Sequence, residues 1–189
     1  RKHTLRSRRD RLDTISFHPK LGSLGQKTER LKTLSGKIAR FIGVDTKIMH
    51  QAAELSRCDL VSEMVLEFDE LQGRMGTLYA TLDQENSDVA QAIQGLYQPA
   101  GASDRIPDDL LGTILALADR LDTLAGLFAI DQPPTGSKDP FALRRAAIGL
   151  LRLNDRPELK LDLGPWVSEA FNAQQIKGSA NALESLVQF

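Results

Sequence analysis

Apolar residues recur along most of this chain at the three- and four-residue spacing that predicts amphipathic helices. The pattern is strongest over about 108–129. The apolar positions that fit the helical period there are Ile114, Leu117, Ala118, Leu121, Leu124, Ala125 and Phe128. Because this stretch repeats its apolar face over about four turns, we expect its helix to be central in the fold.

A second clear helix is predicted over about 25–42, and Gly43 should end it. The residues predicted to share its buried side are Leu31, Leu34, Ile38, Phe41 and Ile42. Asp45 or Thr46 can cap the helix that follows. Weaker patterns predict helical segments near 60–67, 70–82 and 87–97, and a loop at about 97–105.

A sharp helix start is predicted near residue 139. Asp139 can cap it, and Pro140 can occupy the first helical position, where its missing N–H costs nothing. The predicted buried face holds Leu143, Ala146, Ala147 and Leu150. Arg145 and Arg152 lie seven residues apart on another face, so this helix should both pack and present cations, until residues 155–157 end it.

Composition supports an all-α protein with a single helical domain. The chain has 189 residues, of which 41% are hydrophobic and only 5% aromatic, and its commonest residues are helix formers. No run of eighteen apolar residues exists, so no membrane span is expected. Cys58 is the only cysteine, which excludes an internal disulfide and favours a cytoplasmic location. The chain begins without Met, which suggests a piece of a longer protein.

Charge is distributed unevenly. Residues 1–49 hold 13 Lys or Arg against 4 Asp or Glu, and residues 50–189 hold 11 against 21, so the two parts carry formal charges of +9 and −10. We expect residues 1–20 to be a basic linker or helical arm and residues 21–189 to be the helical domain. An N-terminal surface of this kind suits an anionic partner.

Five segments, taken together, resemble the β subunit of bacterial glycyl-tRNA synthetase in order and spacing. They are Cys58-Asp59-Leu60, Glu67-Phe68, residues 71–76, residues 118–126 and residues 136–147. The resemblance implies an HD-like helical domain, a fold whose phosphohydrolase relatives bind metal through a His, a His-Asp pair and a distant Asp. Lys27 stands where the first His would be, Cys58-Asp59 replaces the pair, and Asp119 matches the last carboxylate.

Lys27 has no lone pair with which to bind a metal. We therefore hypothesise that its ammonium occupies the former metal position and pairs with Asp59 or Asp119. The alternatives are that these are unrelated surface groups, that Cys58 and the two Asp residues hold zinc, or that the domain is an active metal-dependent phosphohydrolase. We expect no catalytic residue and no metal in this segment.

The resemblance further implies a role in attaching glycine to its tRNA. The expected partners are the α subunit, tRNA-Gly and other β-subunit domains, with ATP and Mg bound at the α-subunit active site. The segment is expected to hold the tRNA acceptor arm through its cations. The candidate RNA contacts are Arg6, Arg8, Arg9 and Arg11 in the arm, and Lys138, Arg144 and Arg145 further along. Arg144 could instead pair with a carboxylate, and the whole domain could be a protein-docking module that touches no RNA.

Overall fold

The computed structural model of the chain describes residues 3–101, 103–176, 178–179 and 181–189. Helices dominate these residues, which confirms the predicted all-α domain. The α-helices are α1 (Leu24–Ile42), α2 (Thr46–Leu55), α3 (Glu63–Glu67), α4 (Arg74–Leu82), α5 (Ser87–Gly95), α6 (Leu110–Ala129), α7 (Leu143–Asn154), α8 (Leu163–Asn172) and α9 (Ala182–Gln188). Short 3-10 helices cover Arg6–Thr14, Cys58–Val61 and Asp69–Leu71. The described strands, β1 (Ser16–His18) and β2 (Gly22–Ser23), form one small antiparallel ribbon.

Helix α6 lies at the centre of the domain, as its sequence pattern predicts. It contacts α1, α2, α5, α7, α8 and α9. All seven residues from Gly112 to Ala118 are buried, so this part of the helix is enclosed on every side. The apolar positions predicted for its buried face are all buried as well. A helix apolar on all sides is stable only in such a position.

Local signals set the ends of α1. Ser23 and Gln26 form a capping box at its start, and Gly43 ends it with a left-handed φ of 81°. The predicted burial of Phe41 is wrong, because this residue is 71% exposed. Phe41 lies at the edge of the apolar stripe, and its ring meets that of Trp166 edge-on at 5.7 Å on the surface.

The predicted start of α7 needs a correction. The helix begins at Leu143, and Ala142 precedes it with a left-handed φ of 53°. A turn from Asp139 to Ala142, closed by a backbone hydrogen bond of 3.1 Å, separates Asp139 from the helix. The Asp139 carboxylate nevertheless accepts from the backbone N–H groups of Leu143 and Arg144, at 2.7 and 3.0 Å. It therefore caps the helix from across the turn.

The N-terminal residues pack on the helical domain. Leu5, which precedes the first 3-10 helix, and Leu12, which lies within it, are fully buried. This helix contacts α1 and the 3-10 helix at Cys58–Val61. Arg1 and Lys2 lie outside the described residues. The division of the chain near residue 20 stays a prediction. Among the described residues, none of the helices is both long and apolar enough to cross a lipid bilayer.

Candidate functional site

Lys27 lies at the heart of the domain, with 2% of its side chain exposed. Its Nζ is 3.0 Å from Asp119 Oδ1 and 2.8 Å from Asp122 Oδ2, and it also donates to Thr123 Oγ1 at 2.8 Å. The hypothesised pairing with Asp119 is confirmed. Asp122 is a second partner that the sequence analysis did not identify. Whether Lys27 replaces a metal stays a prediction.

Two arginines complete this network. Arg30 Nε lies 2.7 Å from Asp122 Oδ1, and Arg57 Nη2 lies 2.5 Å from Asp119 Oδ1. We call Lys27, Arg30, Arg57, Asp119 and Asp122 the charge cluster. Three cations thus face two carboxylates. The i, i+3 spacing within each helix, 27 and 30 on α1 and 119 and 122 on α6, is a signal that could have identified Arg30 and Asp122; nothing local marks Arg57.

Both carboxylates of the charge cluster are ionised at neutral pH. Burial by itself would raise the pKa of Asp119, but the nearby Arg57 and Lys27 outweigh burial and lower that pKa. The pKa of Asp122 is lowered in the same way, because Lys27 and Arg30 more than offset the effect of burial. The Phe17 ring, with its centroid 4.6 Å from Lys27 Nζ, adds a cation–π contact.

Asp59 is held quite differently. It is fully buried, and its Oδ2 accepts from the backbone N–H groups of Gly73 and Gly76 at 2.6 and 3.0 Å. Its Oδ1 has no hydrogen-bond partner among the described residues. Burial raises the pKa of Asp59 in spite of these two backbone hydrogen bonds. This carboxylate therefore serves to position the chain between the Asp69–Leu71 helix and α4.

Cys58 is a free, buried thiol. Its Sγ donates to the carbonyl oxygen of Glu54 at 3.4 Å, and burial raises its pKa to about 12. A thiol with such a pKa stays protonated at neutral pH. No group of three or more His, Cys, Asp or Glu in the described part of the chain is arranged to hold a metal ion.

Most candidate cations of the N-terminal arm have partners within the protein. Arg6 pairs with Glu85 at 3.0 Å and Arg9 with Glu29 at 2.6 Å. Arg8 donates to the carbonyl oxygens of residues 3 and 4 and lies 5.5 Å from the Tyr79 ring centroid. Arg11 is exposed, with no ion pair or hydrogen bond from its side chain to any described residue. Of the four, Arg11 has the guanidinium most accessible to a ligand.

The second group of candidates surrounds the start of α7. Arg144 is exposed, and its Nη2 donates to the Gly136 carbonyl oxygen at 2.8 Å rather than to a carboxylate. Lys138 and Arg145 are not buried, and neither side chain has a partner among the described residues. Arg152, by contrast, binds the carbonyl oxygens of Gly101 and Asp104. The structure thus leaves Lys138 and Arg145 open to an anionic ligand.

Comparison with known proteins agrees with the resemblance. The family model described as "Glycyl-tRNA synthetase beta subunit" matches residues 1–189. A glycine–tRNA ligase beta subunit of Chromohalobacter salexigens is 54% identical over 86% of this chain and 24% of its own length. Those of Tolumonas auensis and Pectobacterium carotovorum are 49% and 44% identical over 90% and 100% of the chain. The chain spans 24–28% of the length of these three relatives. It belongs to the glycyl-tRNA synthetase beta subunit family.

Proposed function

We propose that this chain is a non-catalytic helical part of a glycine–tRNA ligase beta subunit, and that it holds the acceptor arm of the tRNA during ATP-dependent attachment of glycine. In this proposal its partners are tRNA-Gly, the alpha subunit and other parts of the beta subunit. ATP and Mg bind at the alpha subunit, which supplies the chemistry. The observation that carries the non-catalytic role is the burial of Lys27 between Asp119 and Asp122.

The charge cluster argues against hydrolytic chemistry at these positions. A metal-dependent hydrolase needs carboxylates free to bind an ion, and it needs an open coordination position for water. Here an ammonium lies within 3.0 Å of both carboxylates, and Arg57 and Arg30 take up further oxygen positions. A divalent cation placed there would face three positive side chains. The cluster therefore acts as a structural centre that joins α1 to α6.

Exposed cations support the RNA role. Folded RNA is recognised largely through its shape and its phosphates, for which Lys and Arg are the natural contacts. Lys138 and Arg145 lie seven residues apart around the start of α7, and neither pairs its charge with a described residue of the protein. Arg6 and Arg9 would have to break ion pairs before they could bind phosphate. We therefore place the main RNA contact at α7, with Arg11 as the available cation of the arm.

The test is charge reversal in the complete synthetase. In the double variant Lys138→Glu, Arg145→Glu we expect weaker tRNA binding, and the slope of log affinity against log salt should fall by about 1 for each phosphate that is no longer bound. Glycine activation, measured by ATP–pyrophosphate exchange without tRNA, should be unchanged. The matched control is Lys47→Glu, Lys160→Glu, which makes the same charge change at two other exposed lysines. Equal tRNA affinity and an equal salt slope in wild type and the Lys138→Glu, Arg145→Glu variant would contradict the proposal.

Protein docking is a second candidate function, favoured by exposed apolar side chains over residues 64–82. The large side chains exposed there by 41–65% are Met64, Leu66, Phe68, Leu78 and Leu82. A contiguous group of exposed apolar side chains would be typical of an interaction surface. If this surface docks on the alpha subunit, Leu66→Glu with Leu82→Glu should weaken subunit association in sedimentation experiments. If the subunits of this variant still associate as in wild type, the apolar surface does not dock on the alpha subunit. It would then contact other parts of the beta subunit or no partner at all.

A further inference from the structure

A cleft opens between the charge cluster and the start of α7. It has a volume of 250 Å³. Its polar lining comes from Tyr97, Asp119, Arg120, Thr123 and Arg145, and its remaining lining is apolar or small. A drug-sized ligand occupies roughly 300–1,000 Å³. The cleft is therefore suited to a group about as large as one sugar phosphate.

The inner end of this cleft offers an unused acceptor. Lys27 and Arg57 both bind Asp119 through Oδ1, at 3.0 and 2.5 Å. Oδ2 of the same carboxylate makes no hydrogen bond to a described residue, although the Asp119 side chain is 19% exposed and lines the cleft. An ionised carboxylate oxygen only accepts hydrogen bonds, so it selects a ligand that brings an O–H or N–H donor.

A second unused group belongs to Tyr97. The Tyr97 hydroxyl is buried and has no hydrogen-bond partner among the described residues, although the residue lines the cleft. Gly73 packs closely against the ring, because an alanine Cβ at this position would lie only 2.6 Å from Tyr97 Cδ2. A buried hydroxyl without a partner is costly, and a ligand that bonds to it would recover that cost.

The mouth of the cleft carries positive charge. Arg120 is held in place by the carbonyl oxygens of Ala116 and Pro99, at 2.9 and 2.8 Å. Arg145 is accessible and lacks a protein partner in the described part of the chain. These two arginines suit an anionic group, whereas Asp119 suits a hydrogen-bond donor. One ligand that satisfies both ends carries an O–H or N–H donor and an anion a few ångströms apart.

We propose that this cleft binds one ribonucleotide, with the ribose 2′-hydroxyl donating to Asp119 Oδ2 and the phosphate accepting from Arg145. Tyr97 hydrogen-bonds to the sugar, and Arg120 adds charge beside the phosphate. The same chemistry can come from a free nucleotide or from RNA. The assignment to RNA rests on the proposed function, and it would make the cleft the place where this domain distinguishes RNA from DNA.

The experiment measures binding of cytidine 3′-monophosphate to the complete beta subunit by calorimetry or ligand-observed NMR. The esterified 3′ position leaves the 2′-hydroxyl as the only hydroxyl on that side of the ribose. We expect its 2′-deoxy analogue to bind roughly tenfold more weakly, as is typical for loss of a hydrogen bond to a charged group. Inorganic phosphate alone should bind more weakly still. Equal affinity for the ribose and deoxyribose probes would overturn the proposal.

Two variants locate the binding in the cleft. Tyr97→Phe removes only a buried hydroxyl without a protein partner, so it should not lower the thermal unfolding midpoint, while it weakens binding of the ribonucleotide several-fold. Ala146→Leu adds bulk to the cleft lining and should abolish binding. Tyr79→Phe, the same change at the only other tyrosine, is the control and should bind as wild type does. Unchanged binding in both cleft variants would place the nucleotide elsewhere and overturn the assignment.

Further measurements separate this cleft from the proposed function. If Lys138→Glu does not affect tRNA binding but the cleft still prefers ribose, the nucleotide site in the cleft is supported and the proposed RNA contact at α7 is wrong. If Ala146→Leu abolishes nucleotide binding and weakens tRNA binding by the complete synthetase, the ligand is RNA. If the same variant binds tRNA as wild type does, the cleft serves a free nucleotide, and its assignment to RNA is wrong.

Discussion

Asp59 is fully buried and Asp119 is 19% exposed, and the groups that hold these two carboxylates differ in kind. Backbone N–H groups of Gly73 and Gly76 hold Asp59, and no cation lies within salt-bridge distance of it among the described residues. Asp119 is held by the full charges of Lys27 and Arg57. The pKa of Asp59 is raised by burial, whereas the pKa of Asp119 is lowered because two cations outweigh burial.

The comparison shows that burial alone does not decide the state of an acidic group. Two backbone hydrogen bonds only partly offset the desolvation of Asp59, whereas two ammonium or guanidinium charges more than offset that of Asp119. Asp59 is thus a positioning group whose pKa is raised by burial, whereas Asp119 is a carboxylate whose pKa is lowered by its cations. Substitution should destabilise both sites, but the size of the loss should depend on pH in opposite ways.

The largest effect is expected for Lys27→Met, which keeps an unbranched side chain of similar length but removes the charge. Asp122 would stay buried with only Arg30 as a counter-charge, and breaking a buried pair from one side costs about 3–5 kcal/mol. Urea unfolding of the chain measures this loss. Lys32→Met, on the same helix but only partly buried, is the control and should change stability by less than about 0.5 kcal/mol. Similar losses in the two variants would contradict the central role of the charge cluster.

A smaller loss is expected for Gly73→Ala, which disturbs the Asp59 site. Gly73 has a φ of +78°, and a Cβ there would lie 2.6 Å from Tyr97 Cδ2. Backbone strain and overpacking together should lower the unfolding free energy by about 2–4 kcal/mol. Gly136→Ala is a matched control, because Gly136 also has a positive φ of +51° but has nothing within 4 Å of its Cβ position. Gly136→Ala should lower the unfolding free energy only through backbone strain, by about 1 kcal/mol. Equal losses in the two variants would show that the Tyr97 ring moves away from the added Cβ at little cost.

A loss of about 1–3 kcal/mol is expected for Asp59→Asn, because the amide leaves a buried donor without a partner. This loss should depend on pH. The pKa of Asp59 is raised in the folded state, so its contribution to stability is fully present below its unfolded pKa and is lost as pH rises through the folded pKa. Asp59→Asn should therefore be more destabilising at pH 4 than at pH 7. Unfolding measured across this range checks the slope.

The Lys27→Met variant should show the opposite slope. The pKa of Asp122 is lowered in the folded state, so its contribution is present above its unfolded pKa and is lost as pH falls further. The difference between wild type and Lys27→Met should be largest near neutral pH and shrink below about pH 4. Slopes of the same sign in the two variants would mean that the two carboxylates are held alike after all.

The smallest effect is expected for Cys58→Ser. The serine hydroxyl can still donate to the Glu54 carbonyl oxygen. Because serine is only less apolar than cysteine, the unfolding free energy should fall by about 1 kcal/mol. Because burial raises the thiol pKa to about 12, the difference should not change between pH 5 and pH 8. A pH-dependent difference in unfolding free energy would reveal a thiolate and a more polar environment.

Much of the fold could be predicted because it follows from local pattern. The period of α6 and the stop at Gly43 depend on residues within a few positions of one another, and both predictions are confirmed. Phe41 and the start of α7 could not be predicted in the same way. The position of Phe41 at the edge of its stripe is decided by its neighbours in space, and the turn from 139 to 142 changes which residue precedes the helix.

The candidate site shows the same division. The pairing of Lys27 with Asp119 could be predicted through the family resemblance, and the i, i+3 spacing on α6 could have added Asp122. Nothing local, however, marks Arg57 as a partner of Asp119. The availability of cations could not be predicted either. Arg9 and Arg145 are both arginines in basic stretches, yet Arg9 pairs with Glu29 across 20 residues, whereas Arg145 has no partner among the described residues.

The sequence by itself determined the helical class, the central helix and the family, and it predicted that the Lys27 ammonium pairs with a carboxylate. The helical class and the central helix depend on residue identity and on spacing within single helices, whereas the family and the pairing of Lys27 depend on the resemblance. The tertiary structure decided which carboxylates are charged, which cations remain open to a ligand, and that a cleft joins Asp119 to Arg145. The physical reason is that electrostatic energy depends on distance and burial. The charged atoms of Lys27 and Arg57 come within 3.0 Å of Asp119 Oδ1 only when their separate segments pack against α6.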